Sequence, residues 1–272
     1  MHRLNPDPLL DRIRRAARRG PRYVLRAVTS HTLTLFGAIV SKLSATAYSI
    51  FVFLRQLLPV QRILIVLAST VTRIRMLIGR PRSVWASTPI LTLPLLVQCD
   101  RLLGLRSESL VFTTYFITRN FDINLSKIQT WIIKRRPQFY HLFTKIVFYF
   151  ALLRYDVFHY FCDRGLLPSQ QGIGIDPVEL AILKKAGKVL YTYTYGADVR
   201  VRNITLALGR YNICRECPEP GRFCVCEAEP ASKNVHNIAE HATAMLAMGD
   251  MLAYVPNALN MHYWPSDLNR IH

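Results

Sequence analysis

The sequence predicts an α/β fold: a parallel sheet with helices on both faces, preceded by a basic, apolar helical segment. Three observations carry this. From Ser83 onward, short apolar strands alternate with helical stretches over short connections, which is the pattern of a sheet built from βαβ units. The stretch from Asp176 to Tyr193 spells out one unit: a helix start, a glycine stop and a following strand. Before Ser83 the character of the chain differs, with apolar runs interleaved with arginines.

In order, Ser83-Val84-Trp85-Ala86 predicts a strand, followed by a turn at Ser87-Thr88-Pro89. Leu95 to Leu103 predicts a helix closed by Gly104, a favoured residue just past a helix end. Leu110 to Tyr115 predicts a second strand. Ile128 to Ile133 and Phe139 to Leu153 predict helices, and Tyr155 to Tyr160 a third strand. Asp176 can cap a helix, Pro177 fits its first position and Glu179 gives a capping-box-like start. Gly187 ends that helix, and Lys188 to Tyr193 follows as a strand. His236 to Met248 predicts a helix and Met251 to Tyr254 a last short strand. The loops after Ala86, Tyr115, Tyr160, Tyr193 and Tyr254 are expected to share the ligand-binding rim at the carboxyl ends of the strands. Gly172-Ile-Gly174 is too short for a dinucleotide fingerprint and is read as a turn.

The formal charge of +18 is unevenly spread. Met1 to Arg82 holds 15 Lys/Arg against only Asp7 and Asp11, which points to a polyanionic partner for that part. The apolar runs between the cations (Leu33–Val40, Leu43–Leu54, Ile63–Ala68) favour an anionic membrane surface over nucleic acid, because nucleic-acid arms stay polar between their charges. The best spanning window, Thr32 to Leu54, carries Lys42 near its middle, at a cost of about 2.5–3.5 kcal/mol. An interfacial position is therefore expected over a spanning one. With no cleavable signal evident, the expected location is cytoplasmic, peripheral to the inner face of the membrane. Gly79-Arg80-Pro81 is the expected boundary, giving a helical segment over 1–81 and an α/β domain over 82–272.

Cys99 and Cys162 stand alone in apolar stretches. Cys214, Cys217, Cys224 and Cys226 instead fall within 13 residues as an insertion at 214–226. Four thiolates at such spacing suit a tetrahedral, structural zinc ion. His236 and His241 are substitute ligands, and two disulfides are the alternative. The Asn203 and Asn124 sequons carry no weight in a chain expected to remain in the cytoplasm.

The run Val189-Leu-Tyr-Thr-Tyr-Thr-Tyr-Gly-Ala-Asp-Val-Arg200 resembles a strand and loop of the N-terminal Rossmann domain of GT-B class glycosyltransferases. Tyr155-Asp-Val-Phe-His159 looks like the preceding strand, Val84 to Leu103 like the opening unit, and 249–267 like the exit from that domain. The resemblance covers roughly Arg82 to Asp267. It implies a Rossmann-like, acceptor-side half of a glycosyltransferase. Asp198 would be the catalytic carboxylate, and Tyr195, Gly196, Arg200 and His159 would contact a saccharide acceptor. Tyr195 stands where the family commonly has His. Nothing in the chain matches the family's second, donor-binding domain, so the sequence is expected to be truncated before it. A nucleotide-sugar is not expected to bind this chain alone, and a partner chain would supply the donor half. The capping role remains open for Asp198. The alternative function is a non-catalytic, membrane-associated scaffold carrying a zinc knuckle, with nucleic-acid binding a weaker third reading.

Overall fold

A computed structural model describes residues 58–115, 120–169, 174–222, 224–255 and 257–261. The chain divides into two compact units, Met1–Gln61 and Arg62–His272. The expected interfacial runs Leu33–Val40 and Leu43–Leu54 lie outside the described residues. Among the described residues no helix is long and apolar enough to cross a membrane.

The elements follow in the order α1 (Leu58–Leu77), β1 (Arg82–Ser87), α2 (Leu93–Leu102), β2 (Arg106–Val111), β3 (Ile123–Asn124), α3 (Ser126–Arg135), α4 (Tyr140–Arg154), β4 (Val157–Phe161), α5 (Pro177–Lys185), β5 (Val189–Tyr193), α6 (Arg202–Leu208), α7 (Ala228–His241), β6 (Ala244–Ala247) and β7 (Leu259–Asn260). The strands form one seven-stranded sheet in the order β3-β2-β1-β4-β5-β6-β7, and every pairing is parallel. This is the Rossmann-like α/β architecture expected from the alternation.

Strand alternation divides the core between the two faces of the sheet. On β4, Phe158 and Tyr160 belong to one buried cluster with Phe148 and Leu152 of α4 and Leu180 and Leu183 of α5. Phe161, the next residue, joins a second cluster with Trp85 of β1, Leu93 and Val97 of α2, Val111 of β2 and Tyr193 of β5. A sheet covered on both sides explains why its central strands read as nearly continuous apolar runs.

Local chemistry fixes the best-specified unit. Asp176 caps α5 by accepting from the Val178 amide at 2.8 Å, with Pro177 in the first turn. Glu179 does not close a capping box. It is fully buried and accepts from the Leu166 and Leu167 amides at 2.9 and 2.7 Å. Gly187 ends the unit at φ +65°, a conformation glycine adopts without steric cost.

Several boundaries differ from the sequence expectation. The second strand lies at Arg106–Val111 rather than 110–115, because alternating Ser107, Ser109 and Val111 are all buried despite two hydroxyls. The stretch 236–248 is not one helix: α7 ends at His241, and Ala244–Ala247 forms β6. Met251 to Tyr254 is not a strand but falls largely in a 3-10 turn, Gly249–Ala253. Short β3 and β7 were not expected.

The compact domain also begins earlier than the break at Gly79–Pro81. Ala68 of α1 is in the core. The Thr72 hydroxyl donates to Asp156 Oδ1 at 2.8 Å, and Lys188 Nζ donates to the Thr72 hydroxyl at 2.5 Å and to the Tyr155 carbonyl at 2.7 Å. Polar ties from a surface helix to two strand starts are invisible to hydropathy, which is why the glycine-proline break looked like the boundary.

Candidate functional site

The sheet's strand order reverses between β1 and β4. The chain runs outward from β1 through β2 to β3, then returns to β4 and proceeds to β7. In open α/β sheets this reversal leaves a crevice beyond the carboxyl ends of the two strands, where ligands bind. Pairing Ser87 with Val111, and Phe161 with Tyr193, aligns the strand ends into one rim. The rim is built from the loops after β1, β2, β4, β5 and β6. The segment after Tyr254 follows the 3-10 turn rather than a strand, so it does not take the expected place.

A cavity of about 280 Å³ lies at the reversal, lined by Ser87, Phe112, Thr113, Gln129, Tyr140 and the loop from Asp163 to Ser169. The Thr88 hydroxyl donates to Asp163 Oδ1 at 2.5 Å, and Arg164 Nε donates to Asp163 Oδ2 at 2.9 Å. The Ser87 hydroxyl donates to the Gly165 carbonyl at 2.7 Å. The buried side-chain carbonyl of Gln129 has no hydrogen-bond partner. A larger groove of about 840 Å³ shares Phe112 and Thr113 and continues over Lys127 and the exposed Trp131. The smaller cavity is the better candidate for chemistry, because the carboxylate stands there. The groove offers an aromatic face and hydroxyls, a lining suited to a sugar ring.

Beneath the loop is a bracing network. Both oxygens of Glu179 hold the backbone of 166–167, and a Cβ at Gly165 would overlap the Glu179 carboxyl. Burial pushes the Glu179 carboxyl up to about 7, with the Leu166 and Leu167 amides opposing. Asn234 of α7 accepts from the Ile175 amide at 3.2 Å and donates to the Cys162 carbonyl at 2.8 Å, tying both ends of this loop. Gly174, at φ +83°, lies so close to the Asn234 amide that no side chain fits.

The residues expected from the sequence sit as follows. Asp198 lies in the loop after β5, only 4 % exposed, accepting from the Gly196 amide at 2.8 Å and the Tyr195 amide at 3.1 Å. It does not cap α6, whose N-cap is Val201. Burial pushes its carboxyl up to about 7; the Gly196 and Tyr195 amides oppose the shift and the nearby Asp163 adds to it. Tyr195 is partly exposed, and Asp163 and Asp198 both act on its hydroxyl, which burial shifts upward. Gly196 has φ +117°, and Arg200 lies against it. Arg200 forms an ion pair with Asp250 at 2.9 Å. Asp198, Tyr195 and Asp163 thus come together, and Arg200 stands next to them already paired.

His159 is elsewhere. It is buried within the sheet face, stacked on Trp85 at 4.1 Å between centroids, with Nδ1 2.9 Å from the Tyr193 hydroxyl. Its Nε2 stands 3.9 Å from Asp100 Oδ2, beyond hydrogen-bond distance. Asp100 instead accepts from the Ser83 hydroxyl and Trp85 Nε1, each at 2.8 Å. Burial holds His159 down at about 4, against Asp100, so it is neutral at pH 7. A neutral, covered imidazole here is a core element and not a rim contact, contrary to the expectation.

All four clustered cysteines are half-buried free thiols, so the alternative pair of disulfides is not formed. Among the described residues no three His, Cys, Asp or Glu side chains converge as a ready metal cage. Burial and the neighbouring thiols of Cys226, Cys214 and Cys217 push the Cys224 thiol up, opposed by Arg200. The substitute ligands lie on α7, where His236 pairs with Glu240 at 3.2 Å and His241 Nδ1 meets the Asn237 carbonyl at 2.8 Å.

Thr88, Asp163, Gln129, Trp131 and Asp250 were not foreseen. Asp163 had a usable signal, since it lies two residues past the end of β4, at the position where a parallel sheet presents its loop. No family model matches the chain, and no curated protein or solved structure matches it.

Proposed function

We propose that the domain is the acceptor-side half of a GT-B-like glycosyltransferase, with a saccharide as its ligand at the sheet's reversal point. The observation that carries this reading is the cavity between β1 and β4, with Asp163 of its lining held by Thr88 and near enough to Asp198 to act on its carboxyl. Hydroxyl-rich ligands need oriented acceptors and donors beside an apolar or aromatic face. Asp163, Gln129 and Thr113 offer the first, and Trp131 in the adjoining groove the second. Asp198, shifted to about 7, lies in the range suited to proton exchange near neutrality. Transfer would require a nucleotide-sugar donor held by a further domain or a partner chain.

Peripheral attachment to an anionic membrane belongs to the same proposal. On α1 and just past its end the exposed residues Ile63, Val66, Leu67, Ile74, Leu77 and Ile78 recur at helical spacing, and Arg62, Arg73 and Arg80 are exposed among them. An apolar stripe edged by cations fits an interfacial helix and a lipid-linked acceptor.

A second reading, the non-catalytic scaffold, is favoured by the near-complete burial of Asp198 and the engagement of its carboxyl with two amides. Isothermal titration with nucleotide-sugars and nucleoside diphosphates separates the readings from a complete enzyme. The proposal expects no binding by this chain alone; micromolar binding would contradict the acceptor-half assignment.

A further inference from the structure

The excursion between α6 and α7 has almost no core of its own. From Leu206 to Pro230 no described residue is buried, and Tyr211 and Ile213 are 89 % and 84 % exposed. Such a stretch does not recover its ordering entropy from apolar burial and needs another staple. It nevertheless carries four cysteines, and Cys214, Cys217 and Cys226 lie near enough to Cys224 to act electrostatically on its thiol. Cys214 sits in a 3-10 turn, Ile213–Arg215, and Cys217 follows it. Gly221, at φ +84°, turns the chain so that Cys224 and Cys226 return. The Gly221 amide donates to Cys226 Sγ at 3.1 Å, a contact that stabilises a thiolate. Cys226 itself adopts φ +58°, a conformation that a non-glycine residue keeps only when its surroundings impose it.

The returning segment is tied to the rim. The Val225 amide donates to the Ala197 carbonyl at 3.3 Å and the Cys226 amide to the Arg200 carbonyl at 3.2 Å. The Arg202 amide donates to the Cys226 carbonyl at 3.0 Å, and Val201 and Cys226 form a parallel bridge. The cysteine segment therefore holds the backbone on both sides of Asp198.

We propose that Cys214, Cys217, Cys224 and Cys226 bind one zinc ion through four thiolates, and that this ion staples the excursion and thereby fixes the Asp198 loop. Soft thiolates in a tetrahedral set select zinc over hard cations, and a closed four-sulfur shell leaves no position for chemistry. Binding draws the other three thiols onto an ion shared with Cys224, which they already influence, and it releases their protons to solvent. The proposal does not depend on the ligand at the rim being a saccharide.

The test uses the full chain purified under reducing conditions. Metal content, the optical spectrum after cobalt(II) substitution, and amide hydrogen exchange with and without a chelator are measured. The expected results are one zinc per chain, sulfur-to-cobalt charge-transfer bands with tetrahedral d–d bands, and slower exchange at Arg202 and Cys226 when metal is bound. Cys217→Ser removes the charge-transfer intensity of one sulfur. Absence of bound zinc, a cobalt spectrum without thiolate bands, or exchange at Arg202 and Cys226 unaffected by the chelator each overturns the proposal. The wild-type cobalt spectrum decides the ligation even where the serine variant does not fold.

Discussion

Thr88 and Asp163 meet across the gap between β1 and β4, hydroxyl to carboxylate, at 2.5 Å. They lie in the loops that follow two strands adjacent in the sheet, 75 positions apart in sequence, and their contact ties those loops together at the strand-order reversal. Asp163 is held in place by Arg164 on its other oxygen. The rim is therefore preorganised around one carboxylate, and what braces it can be probed from several sides.

The first brace is steric. A methyl group at Gly165 would overlap the Glu179 carboxyl that holds the 166–167 backbone. Gly165→Ala is expected to destabilise the fold by about 1–3 kcal/mol, the usual cost of overpacking. Chemical denaturation measures this, and a change below about 0.5 kcal/mol would mean the loop shifts freely.

The second is protonic. Glu179, fully buried, is raised from 4.5 to about 7. The unfolded chain loses this proton near its ordinary value while the folded protein keeps it to about 7. Its favourable contribution is thus complete below pH 4.5 and is lost as pH rises through about 7, by about 3 kcal/mol at most. Comparing the pH dependence of stability in wild type and Glu179→Gln should show a downward slope between pH 4.5 and 7 that the variant lacks. Parallel curves would refute the shift.

A third prediction concerns the tie between α1 and the sheet. Asp156 is fully buried, accepting from the Thr72 hydroxyl and the Arg82 amide, with Lys188 Nζ 3.9 Å away. Burial lowers Lys188 to about 8, opposed by Asp156. Arg75 also stands 3.5 Å from Asp156, yet removing either member of the buried pair breaks the network, so Asp156→Asn and Lys188→Met should each cost about 3 kcal/mol. The double variant should lose less than the sum, which a double-mutant cycle by denaturant unfolding reads directly. Additive losses would show that the two charges do not cooperate.

A fourth concerns Arg200, which is paired with Asp250. An anionic group on an acceptor must displace that carboxylate. Asp250→Asn should therefore strengthen inorganic phosphate binding several-fold, with little effect on stability because the pair is exposed. Unchanged phosphate binding by titration calorimetry would remove Arg200 from the site.

The sheet was legible because burial on both faces leaves continuous apolar strands, and the Asp176–Pro177 start and Gly187 stop carry their own local chemistry. The site was legible only where its residues are consecutive, as in the run from Tyr195 to Arg200. Thr88 and Asp163 meet only once β1 and β4 pair, and no local pattern announces that. His159 misled for a related reason: a histidine inside an apolar strand reads as a ligand, yet Trp85 covers it and Tyr193 occupies its Nδ1. Glu179 fitted a capping box, and its fate as a buried anchor followed from the distant loop at 165–167.

The most direct test of the central claim is saturation-transfer NMR of a saccharide panel against wild type and Asp163→Asn. The substitution keeps the side-chain shape and removes the negative charge. The account predicts that at least one saccharide binds the wild-type chain and that its signal falls about tenfold or more in the variant, the scale of losing one charge-assisted hydrogen bond. Saccharide binding unaffected by Asp163→Asn, or no saccharide binding at millimolar concentration, would contradict it.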